Sequence, residues 1–176
     1  IRYGYGFVQG AEAAAADLGL AAGDVTIKYW YSGVFVGNDD IKVKMAGWYA
    51  EGTEVVFSCG GSIYVSAVAA AEEADGKLIG VDVDQANESP RIITSAMKGL
   101  TQSVKLALAD LYANGGTWAA DQGGKTAVLG AAQDCVGLPT AADSWRLANY
   151  TIEQYEELFN KVKDGTTVVD NSADKD

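Results

Sequence analysis

The sequence predicts an α/β fold, a three-layer sandwich built on a parallel sheet, and three observations carry that prediction. Strand-like and helix-like patterns alternate from residue 1 to residue 84 in the order β-α-β-α-β-α-β. The connections between them are short enough for right-handed crossovers. The last strand of the series, Leu78-Ile-Gly-Val-Asp-Val-Asp-Gln85, is apolar and ends in carboxylates, and the strand ends of open parallel sheets are where ligands bind.

Taken in order, Ile1 to Tyr5 reads as a strand fragment, with a glycine turn at Gly4 and Gly6. From Phe7 to Leu18 the pattern is helical, with Phe7, Ala11, Ala15 and Leu18 on one face. Val25 to Tyr31 is β-branched and aromatic and suits a strand. Ser32 to Gly37 is a loop. Asn38 or Asp39 then caps a helix to about Glu51, with Ile41, Met45 and Trp48 as its apolar stripe. Glu54 to Cys59 is the next strand and ends in Gly60-Gly61-Ser62. A helix of small residues, Ile63 to Ala74, leads into the strand at 78–84. Beyond it, Ile92 to Ala96 reads as a strand. Gly99 to Asn114 reads as a helix with Leu100, Val104, Leu108 and Leu111 toward the core, stopped by Gly115-Gly116. Lys125 to Gly137 suggests one or two strands broken at Gln133-Asp134, and 142–150 is irregular. Thr151 caps a helix over Ile152 to Lys163, with Gln154 completing a capping box. A final strand is expected at Thr166 to Val169, before the polar tail 170–176.

A chain of 176 residues suits one well-packed domain. Its 48% apolar and 21% charged content is that of a globular protein. The net charge of −11 argues against nucleic acid as a partner, because phosphate binding needs a basic patch. With no histidine, a Ser-His-Asp triad, a Cys-His dyad and most catalytic zinc sites are excluded. Cys59 and Cys135 have no metal-ligand spacing and read as two buried thiols, with a disulfide as the alternative. No apolar run is long enough for a transmembrane helix.

Several motifs have both a chemical and a structural reading. Gly4, Gly6 and Gly10 stand where a dinucleotide fingerprint would, but the spacing is one residue too long. The next strand also lacks the acidic residue that binds a ribose, so turn glycines that permit close packing are the reading kept. Asp39-Asp40 falls at a helix start, where carboxylates complement the dipole, rather than at a phospho-acceptor strand end. Gly60 and Gly61 join a strand to a helix; they are either a tight turn or a place where a ligand meets backbone and free N–H donors. Phe35, in a glycine-flanked loop, is either folded onto the domain or available to stack on a flat ligand. Lys98 opens a helix and on general grounds is solvated. Strand alternation puts Asp82 and Asp84 on one face, as hydrogen-bond acceptors, cation ligands or acid–base groups. Of the four tryptophans, Trp48 reads as core, and Trp30, Trp118 and Trp145 are left open.

Taken together, five segments resemble the basic membrane protein family. They are Phe7-Val-Gln-Gly-Ala11, Tyr29-Trp-Tyr-Ser-Gly-Val-Phe35, Val56-Phe-Ser-Cys-Gly-Gly61, Ile79-Gly-Val-Asp-Val-Asp-Gln85 and Ile93-Thr-Ser-Ala-Met-Lys98. Members are bacterial substrate-binding lipoproteins of ABC transporters, and characterised ones bind purine nucleosides. The resemblance implies a periplasmic-binding-protein type I-like fold, with one lobe plus C-terminal crossover segments. Residues 1–169 would be the C-terminal lobe, 170–176 a tail, and the N-terminal lobe, with its signal peptide and lipid-attachment cysteine, would be missing.

The resemblance also implies roles. Phe35 would stack on a purine, Gly60 and Gly61 would let the backbone approach the ligand, and Asp82 would accept from ribose hydroxyls. Lys98 would donate to the same sugar and pair with Asp82, with Asp84 second in line. The implied function is the solute-binding component of an ABC importer, held to the outer face of the cell membrane by a lipid anchor and delivering its ligand to a permease. The alternative is a sensory or regulatory ligand-binding domain of the same fold, taking a sugar or another small polar ligand. No catalysis and no cofactor are expected, since no nucleophile–base pair or P-loop is readable, although Asp82 and Asp84 could hold a metal.

Overall fold

The structure is a computed structural model and describes residues 2–172. Its elements are α1 (Arg2–Asp17), α2 (Asp39–Ala50), β1 (Val55–Phe57), α3 (Tyr64–Ala74), β2 (Lys77–Asp82), β3 (Ile92–Lys98), α4 (Leu100–Ala113), β4 (Val136–Gly137) and α5 (Ile152–Lys163). The sheet has four strands in the order β1-β2-β3-β4. The first three run parallel, and β4 closes the edge antiparallel to β3. The expected α/β sandwich is therefore present, with a short antiparallel edge added.

Local signals place the helices that matter most for the core. Asn38 caps α2, its side-chain oxygen accepting from the Ile41 N–H at 2.9 Å. Ile41, Met45 and Tyr49 point from α2 into the main core, where they meet Ala67, Ala70 and Ala71 of α3. Those alanines let the two helices approach closely and cover Val56, Leu78 and Ile92 of the sheet. Trp48 packs at the margin of this cluster, half-buried. On the opposite face of the sheet Phe57 meets Phe7 of α1, ring centroids 5.5 Å apart, which supplies the third layer. Thr151 and Gln154 form the expected capping box on α5.

Tyr49 donates its hydroxyl to the Lys77 carbonyl at 2.7 Å, and burial pushes its phenol from 10.0 up to about 12. The unfolded chain therefore ionises first. Stability is intact below pH ~10 and falls as the pH rises toward ~12, by on the order of 2 kcal/mol. Tyr49→Phe should flatten that alkaline loss while lowering stability at neutral pH, where the Lys77 carbonyl has lost its donor. Melting curves from neutral to alkaline pH check both signs.

Five expectations fail. The strand at Ile1–Tyr5 is instead the start of α1, Ile1 itself lying outside the described residues. The helix is anchored there by the Tyr3 hydroxyl, which donates to the Met97 carbonyl at 3.1 Å. Further along, Gln9 donates to the Asp170 carbonyl at 2.9 Å. Residues 25–31 form no strand and pair with none. The neighbouring Val36–Ser62 pair is an isolated bridge outside the sheet, and Tyr29 stays 75% exposed. A strand needs a partner ladder, which β-propensity alone does not supply. Of 125–137 only Val136–Gly137 pairs. Residues 166–169 fold back on α5 through Thr167, whose N–H donates to the Lys161 carbonyl at 2.8 Å, so no strand forms. Helix α4 has its expected bounds, but its apolar stripe faces outward and no residue of it is buried. No helix among the described residues is long and apolar enough to cross a membrane.

Candidate functional site

Because β1, β2 and β3 are parallel, their C-terminal ends share one edge of the sheet, and the loops leaving them converge there. β1 delivers Cys59, Gly60 and Gly61, β2 ends on Asp82 and β3 ends on Lys98. The loop before α2 brings Phe35 to the same place, held by Ser62, whose N–H donates to the Phe35 carbonyl at 2.8 Å. Ser66 adds a second tie, its hydroxyl donating to the Asn38 carbonyl at 2.9 Å. The result is a cavity of about 610 Å³ whose lining includes all five residues singled out from the sequence: Phe35, Gly60, Gly61, Asp82 and Lys98.

Glycine at position 61 is required by a close approach. Its φ is +46°, and a Cβ there would lie 2.8 Å from the Phe35 carbonyl oxygen. The group that comes close to this glycine is therefore the Phe35 loop itself. Phe35 does not fold onto the domain; it stays 74% exposed at the cavity.

Lys98 Nζ sits 2.5 Å from Asp82 Oδ1, with the two side chains 45% and 35% exposed. Oδ1 is nonetheless buried and lacks a hydrogen-bond partner. The ammonium is therefore at ion-pair distance but outside hydrogen-bonding geometry. A pair this exposed adds only about 0–1 kcal/mol to stability; its effect is to fix the two groups. Lys98 also lies over the Tyr3 ring, 5.4 Å from its centroid. Tyr3 is raised above its ordinary 10.0, first by burial, then by the charge of Asp82 and by Cys59. Burial likewise pushes the Cys59 thiol up, so although the residue is exposed it is not held as a thiolate.

Asp84 does not join the site. The strand stops at Asp82, whose φ of +71° turns the chain and ends the alternation that would place the two carboxylates together. The Asp84 carboxylate instead accepts from the Ser144 hydroxyl at 2.5 Å and from the Ala86 N–H at 3.0 Å. Among the described residues no group of three or more histidine, cysteine or acidic side chains converges as a metal site. Gly4, Gly6 and Gly10 lie within α1 with open space around each, forming neither a phosphate turn nor a close-packed one. Asp39 and Asp40 open the first turn of α2. The cysteines are unpaired; Cys135 is buried as expected, and Cys59 is not. Trp145 is structural, its indole N–H donating to the Tyr150 carbonyl at 2.8 Å.

Arg2, Tyr3, Cys59 and Val81 also line the cavity and were not singled out from the sequence. Cys59 and Val81 carry a signal, since each adjoins a chosen residue. Arg2 and Tyr3 carry none, because they reach the site only through the packing of α1.

No family model matches the chain, and no curated protein matches it. Among solved structures it is similar to a crystal structure of ABC transporter system solute-binding proteins from Aeropyrum pernix K1, with 21% sequence identity and a TM-score of 0.69. The likeness covers 94% of this chain and 52% of that one, so the chain spans about half the length of the structure it matches. At this identity the likeness is one of fold.

Proposed function

We propose that this chain is one lobe of the solute-binding component of an ABC importer and binds a purine nucleoside or a related ligand in a cleft between lobes. The observation that carries the reading is the convergence of Phe35, Gly60, Gly61, Asp82 and Lys98 on one cavity at the C-terminal edge of the parallel strands. Phe35 offers an exposed face to a flat base, a contact worth ~1–3 kcal/mol. Asp82 accepts from two neighbouring sugar hydroxyls, and Lys98 donates to the same sugar while holding the carboxylate in place. Gly60 and Gly61 let the Phe35 loop seat closely, which presents its ring to the base. The process is binding and hand-over to a permease, with closure by a second lobe and no reaction. In this reading the protein works outside the cytoplasm as a membrane-anchored lipoprotein, and the lobe alone binds more weakly than the pair.

Isothermal titration with guanosine, adenosine, inosine and a panel of hexoses tests this. Saturable binding of a purine nucleoside, lost in Asp82→Ala, is the expected result. Binding of hexoses alone would move the protein to a sugar-sensing or sugar-transport role, and binding of neither would overturn the proposal.

A further inference from the structure

We infer that Gln85 is the positioning residue that aims the Asp82 carboxylate into the cavity, an inference that rests on the ligand-binding reading of that cavity. The ladder between β1 and β2 ends at the Phe57–Ile79 pair, whereas β2 continues beside β3 to Asp82. Lys77, Ile79 and Val81 present their N–H groups to the β1 side by strand parity, and Lys77 N–H indeed donates to Glu54. Past Phe57, Ser58 still donates its N–H to the Ile79 carbonyl at 3.1 Å, but its own carbonyl is taken by the Gly60 N–H at 2.9 Å. Val81 N–H is left without a strand partner at the residue that precedes Asp82.

Gln85 supplies the acceptor. Its side-chain oxygen receives the Val81 N–H at 2.9 Å, and the residue is only 7% exposed. Its own N–H donates to the hydroxyl of Ser95 at 3.1 Å, a fully buried residue on β3. Gly80 makes room for both, since a Cβ there would stand 2.5 Å from the Gln85 oxygen and 2.7 Å from the Ser95 oxygen. The Val81 carbonyl accepts from the Val83 N–H at 2.9 Å, closing a three-residue turn on Asp82 with φ +71°. Both backbone polar groups of Val81 are thus committed to a conformation that a non-glycine residue adopts only when its surroundings impose it. Gln85 is the side chain that imposes it from within.

The test compares ligand-free and guanosine-bound protein. In the ligand-free chain, Gln85→Met should displace the carboxyl carbon resonance of Asp82 and the ammonium resonance of Lys98. Gln85→Glu, which keeps an acceptor, should restore them. Ser95→Ala reaches the same turn from the other side and should move the same resonances, and Met45→Ala, which loosens the distant core, should not. Guanosine affinity should fall ~10-fold or more in Gln85→Met, with no further loss when the change is made in an Asp82→Ala background. Unmoved Asp82 and Lys98 resonances, or losses that add fully, would overturn the assignment. Failure of the wild-type chain to bind guanosine would sink the nucleoside reading, while the ligand-free resonances would still decide the role of Gln85.

Discussion

Asp82→Gly is expected to remove ligand binding and yet leave the chain about as stable as the wild type. Asp82 sits at φ +71° in a closed three-residue turn, a backbone state that costs a non-glycine residue about 1–3 kcal/mol. Glycine adopts it without steric cost, although it loses about 0.5–1 kcal/mol more chain entropy on folding than alanine does. The ion pair with Lys98, worth about 0–1 kcal/mol at this exposure, offsets part of what remains. Binding moves the other way. A carboxylate that accepts from two hydroxyls contributes roughly 1.5–3 kcal/mol per bond, so its removal should weaken nucleoside binding ~100-fold or more. Asp82→Ala loses the same carboxylate but keeps the strained backbone, and should melt below Asp82→Gly. Thermal melting and titration of the three proteins check the pattern, and a glycine variant melting well below the alanine variant would show that the turn is not under strain.

Gly61→Ala is expected to cost both stability and affinity, and Gly60→Ala neither to the same degree. At position 61 the new methyl would meet the Phe35 carbonyl oxygen at 2.8 Å and its Cβ at 3.2 Å, at a φ of +46°. That carbonyl already receives the Ser62 N–H, so the loop cannot shift without breaking a backbone hydrogen bond. Left-handed strain alone costs about 1–2 kcal/mol. Displacing Phe35 removes a stacking surface worth ~1–3 kcal/mol, roughly tenfold or more in affinity. At position 60 the nearest atoms are side-chain carbons of Ile63 and Phe35 at 3.4 Å, an ordinary contact. Equal effects at the two positions, read by melting temperature and nucleoside titration, would contradict the docking of the Phe35 loop on Gly61.

The parts of the fold legible in the sequence are those set by neighbours along the chain. The Asn38 cap of α2 and the Thr151–Gln154 box of α5 are local, and both elements lie where their residues put them. The paired strands around Val56, Leu78 and Ile92 are legible because glycine turns and apolar runs bracket them. Residues 25–31 and 166–169 have strand-like side chains, but strand formation depends on a ladder that the rest of the chain does not offer them. Leu100, Val104 and Leu108 fall on one helical face as periodicity requires, while periodicity does not say what that face meets. At the site, Asp82, Lys98, Gly60 and Gly61 are legible as residues at the ends of parallel strands. Tyr3 is not, because it enters from a helix that reads locally as a glycine-broken strand. Asp84 misleads for the opposite reason: alternation holds only while the strand does, and the turn at Asp82 ends it.

The most direct test is a nuclear magnetic resonance titration of this chain with guanosine, followed residue by residue. Shifts centred on the backbone of Gly60, Gly61 and Asp82 and on the side chains of Phe35 and Lys98 are the expected result. Shifts confined to the apolar groove between β4 and α5, around Leu138 and Phe159, or no shifts at saturating guanosine, would contradict the assignment of the cavity as the ligand site.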